Sequence, residues 1–138
     1  MMYKVRGYVK DDVYNIDVGY DFDRRLLVEG QTTIGGTLVD GDTVLATGGV
    51  HMMWDGVGEA WTLVSPMLRN NGTVFARYTK RMFDDIIQTN NLRRVQATIH
   101  ETDDVGLRFA LWLGFKDEGV MHKYGMNGEN YIRVARVS

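Results

Sequence analysis

The chain has 138 residues, 44% hydrophobic and 25% charged, with a formal net charge of −2. This is the balance of a single soluble globular domain, residues 1–138, with one core. The charge excludes a protein held on nucleic acid by a broadly basic face, and the absence of cysteine removes disulfides, thiolate nucleophiles and cysteine zinc sites together.

Tyr3, Val5 and Gly7 alternate with charged neighbours, which predicts a half-buried strand. Asp11 or Asp12 then offers a helix N-cap ahead of Val13, Tyr14 and Ile16, and a second short helix is expected over Phe22 to Val28, ending near Gly30. From Thr32 the pattern turns strand-like. Asp40-Gly41-Asp42 reads as a hairpin turn, because Asp-Gly tolerates the positive φ such turns need. Gly48 to Trp54 continues the sheet, Asp55 to Gly58 turns it, and Glu59 to Ser65 returns. A bulge or close strand packing explains Gly48-Gly49 better than a nucleotide loop does. Val74, Tyr78, Met82 and Ile86 recur every four residues and predict an amphipathic helix of about four turns, capped by Asn70 or Asn71. Val95, Ala97 and Ile99 alternate with Gln96, Thr98 and His100 as a strand. Asp103 or Asp104 opens a helix that Gly114 stops, and two final strands are expected near Val120 to Tyr124 and Tyr131 to Val137. Trp54, Trp61 and Trp112 are expected to anchor the core, and the methionines to fill its gaps.

The three histidines, His51, His100 and His122, show no metal-ligand spacing, so no metal is expected. No stretch has the ~18–20 apolar residues of a membrane span, nor the apolar run of a signal peptide. A cytoplasmic protein bound neither to membrane nor to nucleic acid is the expectation.

The stretch from Val64 to Val74 runs from a strand end into the long helix. Such a junction leaves helix-terminal N–H groups aimed at the gap, where the helix dipole also favours an anion. Gly72 allows close backbone approach, and Arg69 adds a full charge. Between Arg69 and Arg94 there are six basic residues against two acidic ones. A polyanionic ligand would account for that excess, and so would a solvated helix face.

Val64, Pro66, Arg69 and Gly72 fall in register on the coenzyme A loop of the GCN5-related N-acetyltransferases, V-x-P-x-x-[RQ]-x-x-G-x-[GA]. Asp103 to Phe115 resembles that family's later motif, ending in Leu113-Gly114-Phe115. The element order agrees over nearly the whole chain. Gly58-Glu59-Ala60-Trp61, Leu113-Gly114-Phe115 with Glu118-Gly119, and Tyr131-Ile132-Arg133 look most like the small acetyltransferase-like proteins of tailed bacteriophages. The chain departs from the pattern at Val74, where the family has Gly or Ala, at Asp103 for asparagine, at Gly106 for alanine, and at Ala110, where a tyrosine commonly protonates the leaving thiolate.

The resemblance implies an α+β domain with a mixed, mostly antiparallel central sheet and helices on both faces. It implies acetyl-coenzyme A as co-substrate and a primary amine, not specified by the sequence, as acceptor. It puts coenzyme A contacts at Leu63, Val64, Arg69, Asn70, Asn71, Gly72, Thr73, Val74, Asp103 and Phe109, with the backbone of Leu63 and Val64 pairing with the pantetheine arm. Glu59 is the first choice for general base. His100 or Glu101 could serve directly or through water, and Tyr124 or Tyr78 could replace the missing acid. Small domains of this kind often pair through their last strands, so a homodimer is a further expectation. The departures at Val74 and Ala110 favour an alternative: a binding or interaction module that keeps the fold but has lost turnover.

Overall fold

A twelve-residue strand with eight consecutive buried positions, Val44 to His51, runs through the middle of the molecule, and the other elements are arranged about it. The computed structural model describes residues 2–138. In chain order it contains β1 (Tyr3–Gly7), α1 (Asp11–Asn15), a 3-10 turn (Arg24–Leu27), β2 (Thr33–Asp40), β3 (Thr43–Trp54) and β4 (Val57–Val64). A second 3-10 turn (Pro66–Leu68) leads to α2 (Gly72–Thr89), followed by β5 (Arg94–His100), α3 (Asp104–Trp112), β6 (Lys116–Met121) and β7 (Tyr131–Val137). The strands form one seven-stranded sheet in the order β1-β2-β3-β4-β5-β7-β6, antiparallel at every pairing except β4 with β5. The predicted fold class and element order match this architecture.

Alternation along the strands sends side chains to two separate cores. On one face α2 and α3 cover Leu38, Leu45, Val50, Val95 and Val134. On the other, α1 and the turn Arg24–Leu27 cover Val39, Val44 and Leu63. Helix α2 buries Tyr78, Met82, Phe83, Ile86 and Ile87, the stripe its four-residue recurrence predicts. It ends because Asn91 adopts φ 51° and Leu92 N–H donates to Ile87 O at 3.0 Å, a Schellman stop. Helix α3 ends the same way, with Gly114 at φ 99° and Phe115 N–H on Ala110 O at 3.0 Å. The Gly48-Gly49 pair lies opposite Gly36 and Gly35 of β2. A methyl group on Gly49 would collide with the backbone of Ile34, so close strand packing is the reason for it.

Three expectations need correcting. β6 spans Lys116–Met121 and not Val120 to Tyr124; it is an exposed edge strand held to β7 by backbone pairing, so its charged side chains carry no alternating pattern. Trp54 and Trp112 are 60% and 56% exposed and anchor no core. Of the methionines, Met82 is buried, whereas Met53, Met67 and Met126 are exposed.

Candidate active site

The two long edges of β4 behave differently. Toward β3 it is paired from Val57 to Val64, whereas toward β5 pairing stops after Glu59↔Gln96. Past that point the parallel strands diverge and leave a wedge. Ser65 N–H donates to Leu45 O on β3 at 2.8 Å. By the alternation of strand backbone, Leu63 and Trp61 also direct their N–H and C=O groups to β3, and Val64 and Thr62 direct theirs into the wedge. Of the two residues expected to offer backbone there, Val64 faces the gap and Leu63 does not; the Leu63 side chain is buried under α1.

Beyond the open end of the wedge lies the Ser65-to-Thr73 loop. Ser65 accepts from Met67 N–H at 3.2 Å. Asn71 N–H donates to Leu68 O, and Val74 N–H to Asn71 O. The N–H groups of Asn70, Gly72 and Thr73 donate to no group among the described residues. Asn71 sits at the N-cap of α2 without capping it, because its side chain donates to Tyr3 Oη at 3.1 Å. The start of α2 is therefore open, whereas Asp103 caps α3 by accepting from Gly106 N–H at 2.8 Å. Arg69 is exposed and enters none of the ion pairs among the described residues. Val74 turns its side chain into the core, away from this loop. Gly106 and Asp103 are linked departures, since the Asp103 carboxylate occupies the space an alanine methyl would take.

A cavity of about 470 Å³ passes through the wedge, lined by Ala60, Trp61 and Thr62 of β4, Ala97, Thr98 and Ile99 of β5, and Asp103, Phe109 and Ala110 on the α3 side. On the α1 side its wall includes Leu26, Leu27, His51 and Glu59. Phe109 stacks between Phe75, at 5.5 Å, and Trp112, at 5.9 Å. A second groove, lined by Thr73, Arg77, Lys80, Arg81 and Trp112, runs along the outer side of α2.

The overall fold is found in solved acetyltransferase structures. The ribosomal-protein-S18-alanine N-acetyltransferase from Escherichia coli superposes with a TM-score of 0.80 at 12% identity, over 99% of this chain and 94% of that one. A putative phosphinothricin N-acetyltransferase gives 0.79 at 15% identity, over 99% and 98%. The ribosomal-protein-S5-alanine acetyltransferase from Vibrio fischeri gives 0.74 at 16% identity, over 98% and 92%. The chain has the fold of the GCN5-related N-acetyltransferases. No protein-family model and no curated protein matches this GNAT-fold sequence.

On the α1 face of this GNAT sheet, Glu59 stands at the closed vertex of the wedge, where Arg133 Nη1 of β7 donates to it at 3.1 Å. His100 Nδ1 accepts from Thr102 N–H at 3.1 Å and contacts Thr102 Oγ1 at 2.8 Å. A lone pair engaged by a backbone donor leaves the neutral ring's proton on Nε2. Tyr131 stands edge-on to both His100 and the exposed Tyr124, at 5.2 and 5.5 Å. The structure thus brings Glu59, Arg133, His100, Tyr131 and Tyr124 to one face. Tyr78 lies on the other, buried, with Oη donating to Gly36 O at 2.6 Å; burial drives its phenol far above the ordinary value. A tyrosine locked in this way is a core hydrogen bond and no proton donor for the cavity.

Sequence reasoning missed His51 and Trp61 as site residues. Both line the cavity, and His51 Nε2 and Trp61 Nε1 are the buried side-chain nitrogens with no partner among the described residues. Burial pushes the His51 imidazole below its ordinary pKa. The signal the sequence offered was a histidine directly after the mainly apolar and glycine stretch Val44 to Val50 of a predicted strand.

Proposed function

We propose that this chain transfers an acetyl group from acetyl-coenzyme A to a primary amine of a protein or small molecule by direct attack. The observation that carries the reading is the junction of two features: a wedge between β4 and β5 that exposes the backbone of Thr62 and Val64, and an open α2 start beside Arg69. The free N–H groups of Asn70, Gly72 and Thr73, with Asn71 shaping the turn, suit a diphosphate. Arg69 adds charge-assisted bonds, and Val74 leaves that seat clear. The strand-edge groups of Val64 and Thr62 suit the amides of a pantetheine arm lying as an extra strand, with Leu63 fixing β4 from the opposite core. Asp103 and Phe109 close the α3 side. The Thr62 or Val64 N–H is placed to stabilise negative charge developing on the thioester carbonyl oxygen.

The acceptor enters from the α1 face, past Glu59, His100 and Tyr124. There the ammonium must lose a proton before attack. His100, with its proton on Nε2, and Tyr124 are suited to donate to the leaving thiolate, and Glu59, bridged by Arg133, is suited to orient the amine. The neighbours' names include a ribosomal-protein alanine, phosphinothricin and spermidine, and these define a first amine panel. Among the described residues, no helix is long and apolar enough to cross a membrane. The proposal places the protein in the cytoplasm, that of the host if the chain is phage-encoded, with the β6 edge available for a homodimer.

Calorimetric titration with acetyl-coenzyme A, followed by thiol release with that panel, tests the reading. Micromolar binding with release supports it, and no binding at millimolar ligand ends it. Binding without release from any amine supports the interaction-module reading, which rests on Ala110 lining the cavity where the family's acid would stand.

A further inference from the structure

Glu59, the position the sequence favours for the base, is bridged by Arg133, while directly across the β3–β4 ladder His51 has a ring nitrogen with no partner. In an antiparallel pair, directly opposed residues project to the same face, so both belong to the α1 side of the cavity. His51 is 8% exposed. Its Nδ1 lies 2.7 Å from Thr33 Oγ1, and its ring stacks on Trp61 at 5.2 Å with an interplanar angle of 25°. Two contacts therefore fix the ring, and Nε2 has none.

Two tautomers are open to a neutral imidazole held in this way. With the proton on Nε2, a buried N–H would stand orphaned; with it on Nδ1, that N–H donates to Thr33 Oγ1 and Nε2 presents a bare lone pair. An orphaned buried N–H is the rarer and more costly arrangement, so the second tautomer is favoured. A bare lone pair on a residue that lines the cavity, across the ladder from Glu59 and beside an unpartnered indole N–H from Trp61, suits a polar guest in the cavity.

We infer that His51 is the general base of this site, taking the proton from the acceptor ammonium through Nε2, and that Glu59 with Arg133 positions the amine. The inference rests on the acyl-transfer reading above. One ammonium N–H bond breaks and an Nε2–H bond forms; the freed nitrogen lone pair bonds to the thioester carbonyl carbon; the C–S bond breaks with its electron pair leaving on sulfur. The proton lost from the nitrogen on forming the amide accompanies the thiolate. No oxidant or further co-reactant is needed. The groups facing His51 are Thr33 of β2, Glu59 and Trp61 of β4, and Arg133 of β7 behind Glu59. Tyr8 stands edge-on to Trp61 at 5.6 Å. On the 3-10 turn, Arg24 is turned to Val13 O and Ile16 O and Arg25 to Asp23.

Two measurements test the inference. The first compares His51→Gln with Glu59→Gln, using whichever panel amine the parent acetylates fastest, with acetyl-coenzyme A affinity measured on each. His51→Gln is expected to lower kcat by on the order of 10²–10⁴-fold at unchanged acetyl-coenzyme A affinity. Glu59→Gln is expected to raise KM for the amine more than it lowers kcat. A His51→Gln variant as fast as the parent overturns the inference and leaves the acyl-transfer reading standing; a parent that binds no acetyl-coenzyme A overturns the reading itself. The second measurement is long-range nitrogen–proton NMR of the free parent protein, which needs no turnover and no folded variant. An unprotonated Nε2 and a protonated Nδ1 are expected, with Thr33→Val disturbing that state. A protonated Nε2 at neutral pH overturns the assignment.

Discussion

Two buried polar clusters lie on the α1 face of the same sheet, and they are built on opposite principles. In the first, Asp12 accepts from Arg6 at 2.7 and 2.9 Å, from Val9 N–H at 2.9 Å and from Thr37 Oγ1 at 2.7 Å, and Thr37 in turn contacts Thr47 at 2.9 Å. In the second, around His51 and Trp61, two nitrogens have no partner. Buried polar groups are held in folded proteins when they are hydrogen-bonded. A fully partnered cluster is scaffold, tying β1 and α1 to the sheet, and one left open beside a cavity is suited to bind something else.

The sharpest way to break that comparison is to substitute both clusters and read stability and turnover together. His51→Gln should cause the largest change, the 10²–10⁴-fold loss of kcat already given, while the thermal midpoint stays near the parent's. Asp12→Ala should do the reverse. Removing a buried carboxylate that serves a charged donor and two neutral ones costs about 3 kcal/mol of stability, with turnover per folded molecule unchanged. Equal loss of stability in both variants would erase the distinction.

The pH dependence follows the same division. Burial by itself would raise the Asp12 carboxyl, but the bonds from Arg6, Val9 N–H and Thr37 outweigh it, and the folded group titrates below its ordinary value of 3.8. Its contribution to stability is therefore fully present above that value and is lost as pH falls through the lower, folded one. His51 is depressed by burial below 6.5, so the folded state resists its protonation. Stability declines as pH drops below 6.5, and His51→Gln should flatten that part of an unfolding-versus-pH profile while leaving the Asp12 part intact.

Smaller effects sharpen the account at its edges. Arg69→Glu replaces a charge-assisted donor by a repelling carboxylate, and calorimetry should show acetyl-coenzyme A bound at least 10–100-fold more weakly. Asn91→Gly relieves a non-glycine residue held at φ 51° and should stabilise the fold by about 0.5 kcal/mol in chemical denaturation.

How much of this was legible in the sequence depended on whether the governing contact was local. The four-residue recurrence from Val74 to Ile86, Gly114 as a helix stop and Asp-Gly as a hairpin turn are local, and each was readable. So was the loop from Val64 to Val74, because its proline, arginine and glycine lie within one short stretch. The strand Lys116–Met121 was misplaced because an exposed edge strand is specified by its partner's backbone. The ion pair of Glu59 with Arg133 joins residues 74 positions apart, and the opposition of His51 to Glu59 exists only once the β3–β4 register is set. Trp54 and Trp112 were expected inside because large aromatics usually bury, but Trp54 ends a strand and Trp112 lies on the outer face of α3.

The central claim is that the pantetheine arm lies in the wedge as an added strand against β4, and amide hydrogen exchange with and without acetyl-coenzyme A addresses it residue by residue. Thr62 and Val64 N–H, which face the wedge, should exchange fast in the free protein and slow markedly on saturation, while Trp61 and Leu63, bonded to β3, stay slow throughout. Saturating acetyl-coenzyme A with Thr62 and Val64 still exchanging at their free rates would contradict the account.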